Sequence, residues 1–593
     1  MSSRVNRKLR RRRHVRIILR ISLIVVVIAA IAAALIIVLR KTGITSSNKR
    51  YLASTSAFAE VYIYDEYEKR LFKTTTSIQR GTEVTTTNET YTENGRTYVV
   101  CKCGDETFYV NEDSLVSDLD DIVQETEKWV RTSATVYANY EGADIVSFVK
   151  KGSHVTLTGY DELLEDGSAN MYEIEYDDEG HTGWVFSKYL VDSQKDADAV
   201  NEDIYTIHQD RAYGSELYGG SATSLDWYPY EKPEFEDNVL LEDARVMYIN
   251  SSAIENIDEY IELATANGVN AFCIDMKDKT VACPFDTVKE YSPTTAENYG
   301  YSVDYVAQAI EKVKKAGLYV IARIVVFNDE YYAADHPEDC IQSAAATQDW
   351  PSAFCRDVWT YNVKLAEEVI EKFAPNEIQF DYVRFPEESY NMSSDDSTDF
   401  KNLYDEDKCE AIQNFCFYAC DQIHQYNTYV SVDCFAECAG KYVTAYGQYF
   451  PAISNVVDAI SAMPYTDHFG TTVDTWTDPY ETVNDWAQRA AARQAEIETP
   501  ALVRTWLTCY SVPWWNPTTT ISDDYFTMEA QALYDAGLTG GFLGWNGSSK
   551  LAHYTAAAPA WGKDYGYGTG SVPGVKSTPT ETGNRAYTPA DTD

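Results

Sequence analysis

From Arg245 onward the chain repeats one pattern eight times: a short apolar strand, then a helical stretch. The strands are read at 246–250, 271–275, 319–326, 377–381, 429–433, 457–463, 502–507 and 541–545. Helical periodicity fills 254–266, 306–316, 358–373, 409–425, 483–496 and 525–536. Gly268, Gly317 and Gly537 stand where helices end, before the next strand. Eight strand–helix units in one block predict a (β/α)8 barrel, 241–562. An open doubly wound sheet is the alternative, but no Gly-rich phosphate loop follows the first strand.

The fourth strand shows how such a barrel would place chemistry. In Ile378-Gln379-Phe380-Asp381 apolar and polar residues alternate with a period of two. Ile378 and Phe380 should face the outer helices, and Gln379 and Asp381 the barrel interior. Asp381 would then sit at the C-terminal lip, where barrels of this kind carry catalytic residues. A plainer reading has Asp381 pair with Arg384 to fix a loop. Asp275 and Asp433 end their own strands in the same inward phase. Arg323 points inward on strand three and needs an anionic partner, Asp275 or Asp381. Asn250, Lys277, Asp278, Asn328, Asp329, Glu437, Asp467, His468, Tyr510, Trp545 and Asn546 follow other strand ends.

Paired carboxylates among aromatic side chains suit glycoside hydrolysis. One attacks the anomeric carbon or activates water, and the other donates a proton to the leaving oxygen. Strands four and five should be neighbours, about 4.8 Å apart. Inward Asp residues at one height would lie roughly 5–6 Å apart, the range of a retaining pair. Trp350, Trp359, Tyr382, Tyr465, Trp506, Tyr510 and Trp545 fall near the lip and could stack on sugar rings or simply pack.

Several of these strings carry a resemblance. Ala271-Phe272-Cys273-Ile274-Asp275-Met276-Lys277-Asp278, Ala322-Arg323-Ile324-Val325-Val326-Phe327 and Glu377-Ile378-Gln379-Phe380-Asp381-Tyr382-Val383-Arg384-Phe385-Pro386 resemble a bacterial glycoside-hydrolase-like barrel family long catalogued as a domain of unknown function. Ser431 to Phe435, Met463 to Phe469, Arg504 to Leu507 and Gly544-Trp545-Asn546 extend the likeness over about 240–560. The resemblance implies a relation to α-glycosidase barrels, whose nucleophile is an Asp ending strand four, here Asp381. Asp433 is the expected acid/base, with Glu437, Asp467 and Asp275 as alternatives. Lys277, Arg323, Arg384, Tyr465, His468, Trp506, Trp545 and Asn546 are expected to bind substrate. Thr466-Asp467 and Thr508-Cys509-Tyr510 depart from the family's usual strand-six and strand-seven endings.

The rest of the chain sets the context. The first fifty residues hold thirteen Lys or Arg and no acid, while the whole chain carries −43, so the body carries −56. Such a body repels phosphate backbones, so nucleic acid is not expected as a partner. Residues 1–20 read as a basic cytoplasmic segment. Residues 21–39 are apolar except for Ser22 and are followed by Arg40-Lys41. As a helix they would span about 28 Å, close to a bilayer core. That run is longer than a signal peptide's apolar region, so we read an uncleaved single-pass anchor in the lipid bilayer. The heavier N-terminal positive flank would keep the N-terminus in the cytoplasm and the body outside.

After a polar linker at 40–56, two similar β-rich segments follow, 57–117 and 131–193. Gly183-Trp184-Val185 with Tyr189-Leu190 resembles the end of a bacterial SH3-like domain, with Phe108 in place of the Trp in the first copy. The resemblance implies wall-peptide binding; a spacer that lifts the barrel off the membrane is the plainer role. Residues 194–240 read as a linker wrapping onto the barrel, and 563–593 as a disordered tail.

The twelve cysteines are open to three readings: disulfides, buried thiols or a metal site. No His pair stands at zinc-site spacing, so no metal is expected, and no cofactor motif is present. The expectation is a membrane-anchored extracytoplasmic glycoside hydrolase acting on polysaccharide or peptidoglycan. The alternatives are a non-catalytic wall-binding protein with a degenerate barrel, and a metal-dependent hydrolase using His468.

Overall fold

The computed structural model describes residues 48–566, apart from 54–57, 66, 68, 75–77, 94–95, 105, 118–126, 162–168, 200–205, 209–218 and 470–472. Eight strands form its larger unit: β1 (Ala244–Ile249), β2 (Ala271–Lys277), β3 (Tyr319–Val325), β4 (Glu377–Asp381), β5 (Tyr429–Phe435), β6 (Ala459–Met463), β7 (Leu502–Val503 and Thr505–Thr508) and β8 (Gly541–Trp545). Every neighbouring pair is parallel, and β1 pairs with both β2 and β8. The first piece of β7 bonds to β6 and the second to β8. Arg504 N donates to Ile460 O at 3.0 Å between the two pieces, which closes the ring.

Helices connect the strands: α1 (Ile257–Asn267), α2 (Val303–Lys315), α3 (Arg356–Phe373), α4 (Lys408–Ile423), α5 (Phe450–Ser454), α6 (Pro479–Gln494) and α7 (Asp523–Asp535), with α8 (Leu551–Trp561) after β8. Their starts are written in the sequence. Ser302 caps α2 by accepting from Tyr305 N, and Asp407 with Glu410 forms a reciprocal capping box on α4. Gly268, with φ of 80°, turns the chain from α1 toward β2 in a conformation a side chain would disfavour.

The period of two at β4 divides its side chains as expected. Phe380 faces out, its ring 5.5 Å from Phe415 of α4. The other phase fills the barrel in layers. Glu377 takes Arg504 Nη1 at 2.6 Å and the Tyr319 hydroxyl at 3.1 Å. Above them Gln379 bonds Cys273 and Ser461. The next layer up holds Asp275, Arg323, Asp381 and Asp433.

Residues 219–243 run along the barrel. Ala222, Leu225 and Trp227 pack with Cys409, Val443 and Tyr449. Tyr565, within the segment read as a tail, is buried and stacks on Tyr534, ring centroids 5.1 Å apart, while 567–593 lie outside the described residues.

The smaller unit contains two seven-stranded sheets. The first comprises Asn48–Leu52, Tyr62–Asp65, Arg70–Lys73, Glu83–Glu93, Arg96–Cys103, Glu106–Asn111 and Leu115–Val116. The second comprises Glu127–Val130, Ala134–Tyr137, Ile145–Val149, His154–Tyr160, Met171–Glu175, Thr182–Phe186 and Leu190–Val191. Numbered along the chain within each sheet, both have the order 3-2-6-5-4-1-7. Each sheet starts before the segment read from sequence, at Asn48 and at Glu127. These first strands are needed because each bridges the fourth and last strands of its sheet.

Among the described residues no helix is long and apolar enough to cross a membrane; the apolar segment 21–39 lies outside them. All twelve cysteines are described, and each is a free thiol; ten are buried, Cys103 and Cys355 partly so.

Candidate active site

A pocket of about 250 Å³ opens at the C-terminal end of the barrel, and Arg323, Asp381 and Asp433 lie in its lining. Arg323 ties the strand ends together. Its Nη1 donates to Asp275 Oδ1 at 2.7 Å, and its Nη2 and Nε donate to Asp381 Oδ2 at 2.5 and 3.2 Å. Nε also lies 3.9 Å from Asp433 Oδ2. Both sequence-level candidates for the arginine's partner are therefore used at once. Arg384 is not the partner of Asp381.

The two carboxylates nearest the pocket have unlike surroundings. Asp381 accepts from Arg323 on one oxygen and from Tyr382 N at 2.6 Å on the other. Tyr382 has φ of 54°, a left-handed conformation uncommon for a bulky residue, which turns the chain so that this amide reaches back. Asp433 accepts from Trp506 Nε1 at 2.7 Å on Oδ1, while Oδ2 is buried without a hydrogen-bond partner among the described residues. Burial, then the charge of Asp381, pushes the Asp433 carboxyl well above the usual carboxylate range, and Arg323 only partly offsets this. In β4–β5 pairing Phe380 stands opposite Val432, so the next residues, Asp381 and Asp433, are at equal height. Both Oδ2 atoms lie within 4 Å of Arg323 Nε, so they are at most about 7 Å apart, close enough to act on one glycosidic bond.

The remaining expected residues separate into those at the pocket and those elsewhere. Arg384, Tyr465, His468, Trp506 and Trp545 line it. Asp275 lies beneath, bonded to Arg323 and to the hydroxyl of Tyr248. Burial pushes its carboxyl up to about 6 despite the arginine. Asp467 pairs with His468 Nδ1 at 2.9 Å and the Tyr510 hydroxyl at 2.6 Å. Burial would raise Asp467, but these bonds outweigh it and hold the carboxyl below its ordinary value. Glu437 points away, exposed and bonded to the Tyr446 hydroxyl.

Lys277 and Asn546, two of the residues expected to bind substrate, lie outside the pocket lining for local reasons, and so does Asn250. Lys277 is fully buried away from the pocket. Its Nζ meets Asp329 at 2.7 Å, Val325 O at 2.5 Å and Asn362 Oδ1 at 3.1 Å. A register shift between Asp275 and Lys277 breaks the period of two and redirects the lysine. Asn546 is buried and fastens the loop after β8 through Lys550 O at 3.0 Å and Ser548 Oγ at 3.2 Å. Asn250 caps the next turn by accepting from Ala253 N at 2.9 Å.

Sequence reasoning missed Tyr248 and Gln448. Counting back by two from Asn250 would have found Tyr248. Gln448 reaches the site from the long β5–β6 connection, bonding Val383 O, Asp433 O and Phe435 N. No local pattern announces it. Among the described residues Asp339, Cys355 and Asp357 are close enough to share an ion, and none of them lines this pocket.

Solved structures similar to the chain include three with these measures. A hypothetical protein from Ruminiclostridium thermocellum ATCC 27405 is 26% identical over 32% of this chain and 96% of its own, with a TM-score of 0.26. The PgaB (BpsB) glycoside hydrolase domain from Bordetella bronchiseptica is 14% identical over 54% of this chain and 98% of its own, TM-score 0.40. A GH20 exo-β-N-acetylglucosaminidase from Vibrio harveyi is 12% identical over 54% of each chain, TM-score 0.35. No curated protein sequence matches significantly. The family model described as "Putative glycosyl hydrolase domain" matches residues 246–551, more than half of the chain. The chain belongs to this glycosyl hydrolase family.

Proposed function

We propose that the barrel is a retaining glycoside hydrolase with Asp381 as nucleophile and Asp433 as acid/base, acting on a cell-wall or extracellular polysaccharide or peptidoglycan. The observation that carries this reading is the unlike pair on one arginine. Asp381 is ion-paired and Asp433 is pushed toward its neutral form, at a separation capped at about 7 Å. A carboxyl group pushed toward its neutral form beside an ion-paired carboxylate is how one site supplies both an acid and an anion. The cap admits the roughly 5–5.5 Å of retaining pairs and leaves out most of the range of about 6.5–9.5 Å used by inverting pairs.

In this mechanism the Asp433 proton passes to the glycosidic oxygen as that bond to the anomeric carbon breaks. Asp381 closes on the same carbon and forms the glycosyl ester. Water then attacks the anomeric carbon as its bond to Asp381 breaks, Asp433 accepts the water's proton, and Asp381 leaves as the carboxylate. Trp506, donating to Asp433 Oδ1, leaves Oδ2 as the oxygen that carries the proton. The pocket is smaller than the roughly 300–1,000 Å³ that encloses a drug-sized ligand, which suits one sugar ring.

The proposal includes location. The basic residues 1–20 and the apolar run 21–39 support an anchor with the barrel outside the cytoplasm. The two N-terminal sheets would be SH3-like modules that hold wall material or act as spacers.

The test is a screen of the full-length chain against α- and β-linked aryl glycosides and wall polysaccharides, beside Asp381→Asn. Release by wild type alone is expected, with the first product keeping its anomeric configuration by proton NMR. Equal release by the variant would sink the assignment. Saturable wall binding with no release by either would favour a binding protein built on a degenerate barrel.

A further inference from the structure

The pocket contains a buried cation that the hydrolytic pair does not use. Arg384 follows β4, and its side chain is 5% exposed. Its guanidinium carbon lies 4.3 Å from the centre of the Phe435 ring and 5.1 Å from those of Trp350 and Tyr382. Nη1 donates to Phe385 O at 2.9 Å. Among the described residues the one carboxylate within 4 Å is that of Glu387, at 3.4 Å on a side chain 69% exposed. Asp381, the next acid along the chain, is held by Arg323.

Buried guanidinium groups are normally matched by buried acids, because an unpaired charge in a low-dielectric site is costly. Here burial pulls the arginine below its ordinary value, and the neighbouring acids and phenols only partly compensate. Aromatic faces shield the cation on several sides without neutralising it. The remaining approach is the pocket that Arg384 lines.

His468 lines the same pocket from the β6 loop. Its ring is bonded to Asp467, which raises its affinity for a proton. Asp278 stands at the pocket beyond β2 and would repel a second anion placed there.

We propose that the sugar bound in this pocket carries an oxyanion, docked on the Arg384 guanidinium with His468 as a second donor. A hexuronic acid supplies it as a carboxylate; an ester sulfate or phosphate would supply the same chemistry. The proposal rests on the hydrolase reading for the sugar, while the anion site itself does not require turnover. A planar guanidinium suits it, since paired N–H groups match the two oxygens of such a group.

The test is calorimetric titration of the full-length chain with glucuronate, galacturonate, glucose 6-sulfate, glucose 6-phosphate and neutral glucose. Wild type, Asp381→Asn, Arg384→Gln, Arg384→Lys and His468→Ala are compared. At least one anionic sugar is expected to bind roughly 10- to 100-fold tighter than glucose, from charge-assisted bonds in a buried site. Which sugar it is identifies the source of the anion. Arg384→Gln should abolish the preference, Arg384→Lys should keep part of it, and His468→Ala should reduce it. Asp381→Asn should keep it, so a failed hydrolase assignment and a failed anion site give different results. Equal affinity for neutral and charged sugars, no binding of any anionic sugar at millimolar concentration, or a preference surviving in folded Arg384→Gln would overturn the proposal. If Arg384→Gln does not fold, the wild-type ratio still decides.

Discussion

Replacing Arg323 with Met tests whether one cation holds the barrel's mouth together. The change leaves the carboxylates of Asp275 and Asp381 buried without the donors now 2.5–3.2 Å away. Breaking a buried ion pair from one side costs about 3–5 kcal/mol. At roughly 2–4 °C per kcal/mol, and less for a barrel of this size, the unfolding midpoint should fall by about 5–15 °C at pH 7.5. The loss should depend on pH. Asp275 binds its proton more tightly in the folded chain, at about 6, than in the unfolded chain, where it is ordinary. Its contribution to stability is therefore fully present below the unfolded value and is lost as pH rises through the folded one. Without the arginine, which pulls that value down, Asp275 resists ionisation further. Wild type and variant then diverge mainly above pH 6 on this account. The assay is thermal unfolding followed through tryptophan emission at pH 5 and 7.5, since Trp506 and Trp545 flank the site. A midpoint within about 2 °C of wild type at pH 7.5, or a loss equal at both pH values, would refute the reasoning.

Three other outcomes follow from named contacts. Asp381→Asn should lower kcat at least about a thousandfold in steady-state assays while the chain remains folded, because Arg323 keeps Asp275. Asp433→Asn should cost roughly 10²–10⁴-fold on alkyl glycosides and much less on aryl glycosides whose leaving groups need no proton. The acid must be protonated, and burial raises its value, so wild-type activity should persist well above pH 4 and fall at higher pH on an alkaline limb that the variant lacks. Lys277→Met should leave KM unchanged and cost about 3–5 kcal/mol of stability by chemical denaturation, since it strands the buried Asp329 carboxylate.

How far the site could be read from sequence depended on how regular each strand was at its end. The period of two runs unbroken through β4, so Asp381 and Gln379 were placed inward and Phe380 outward. The same rule gave Asp275, Arg323 and Asp433. It failed one residue beyond Asp275, where the ladder shifts register and Lys277 leaves the interior. Beyond strand ends the polar residues nearest the lip, Asn250 and Asn546, satisfy backbone groups of tight turns instead of facing a ligand. Arg384 was legible as a site residue but not as a cation lacking a buried acid, because its isolation depends on rings contributed by three separate stretches: Trp350, Tyr382 and Phe435. The early start of each N-terminal sheet escaped notice because Asn48–Leu52 is short and polar, and its pairing is with distant strands.

The clasp formed by Arg323 also bears on how relatives should be compared. Asp275, Arg323 and Asp381 come from three successive strands and neutralise one another in the interior, so removing any of them weakens the fold as well as the chemistry. A descendant that stopped cleaving sugars would still be selected to keep all three. Asp433 is under a different constraint, since its Oδ2 has no hydrogen-bond partner among the described residues and its burial is unfavourable to the charged form. An amide or an apolar residue there would relieve the fold. Drift at Asp433, with the other three intact, is therefore the mark by which an inactive branch would be told from a working one.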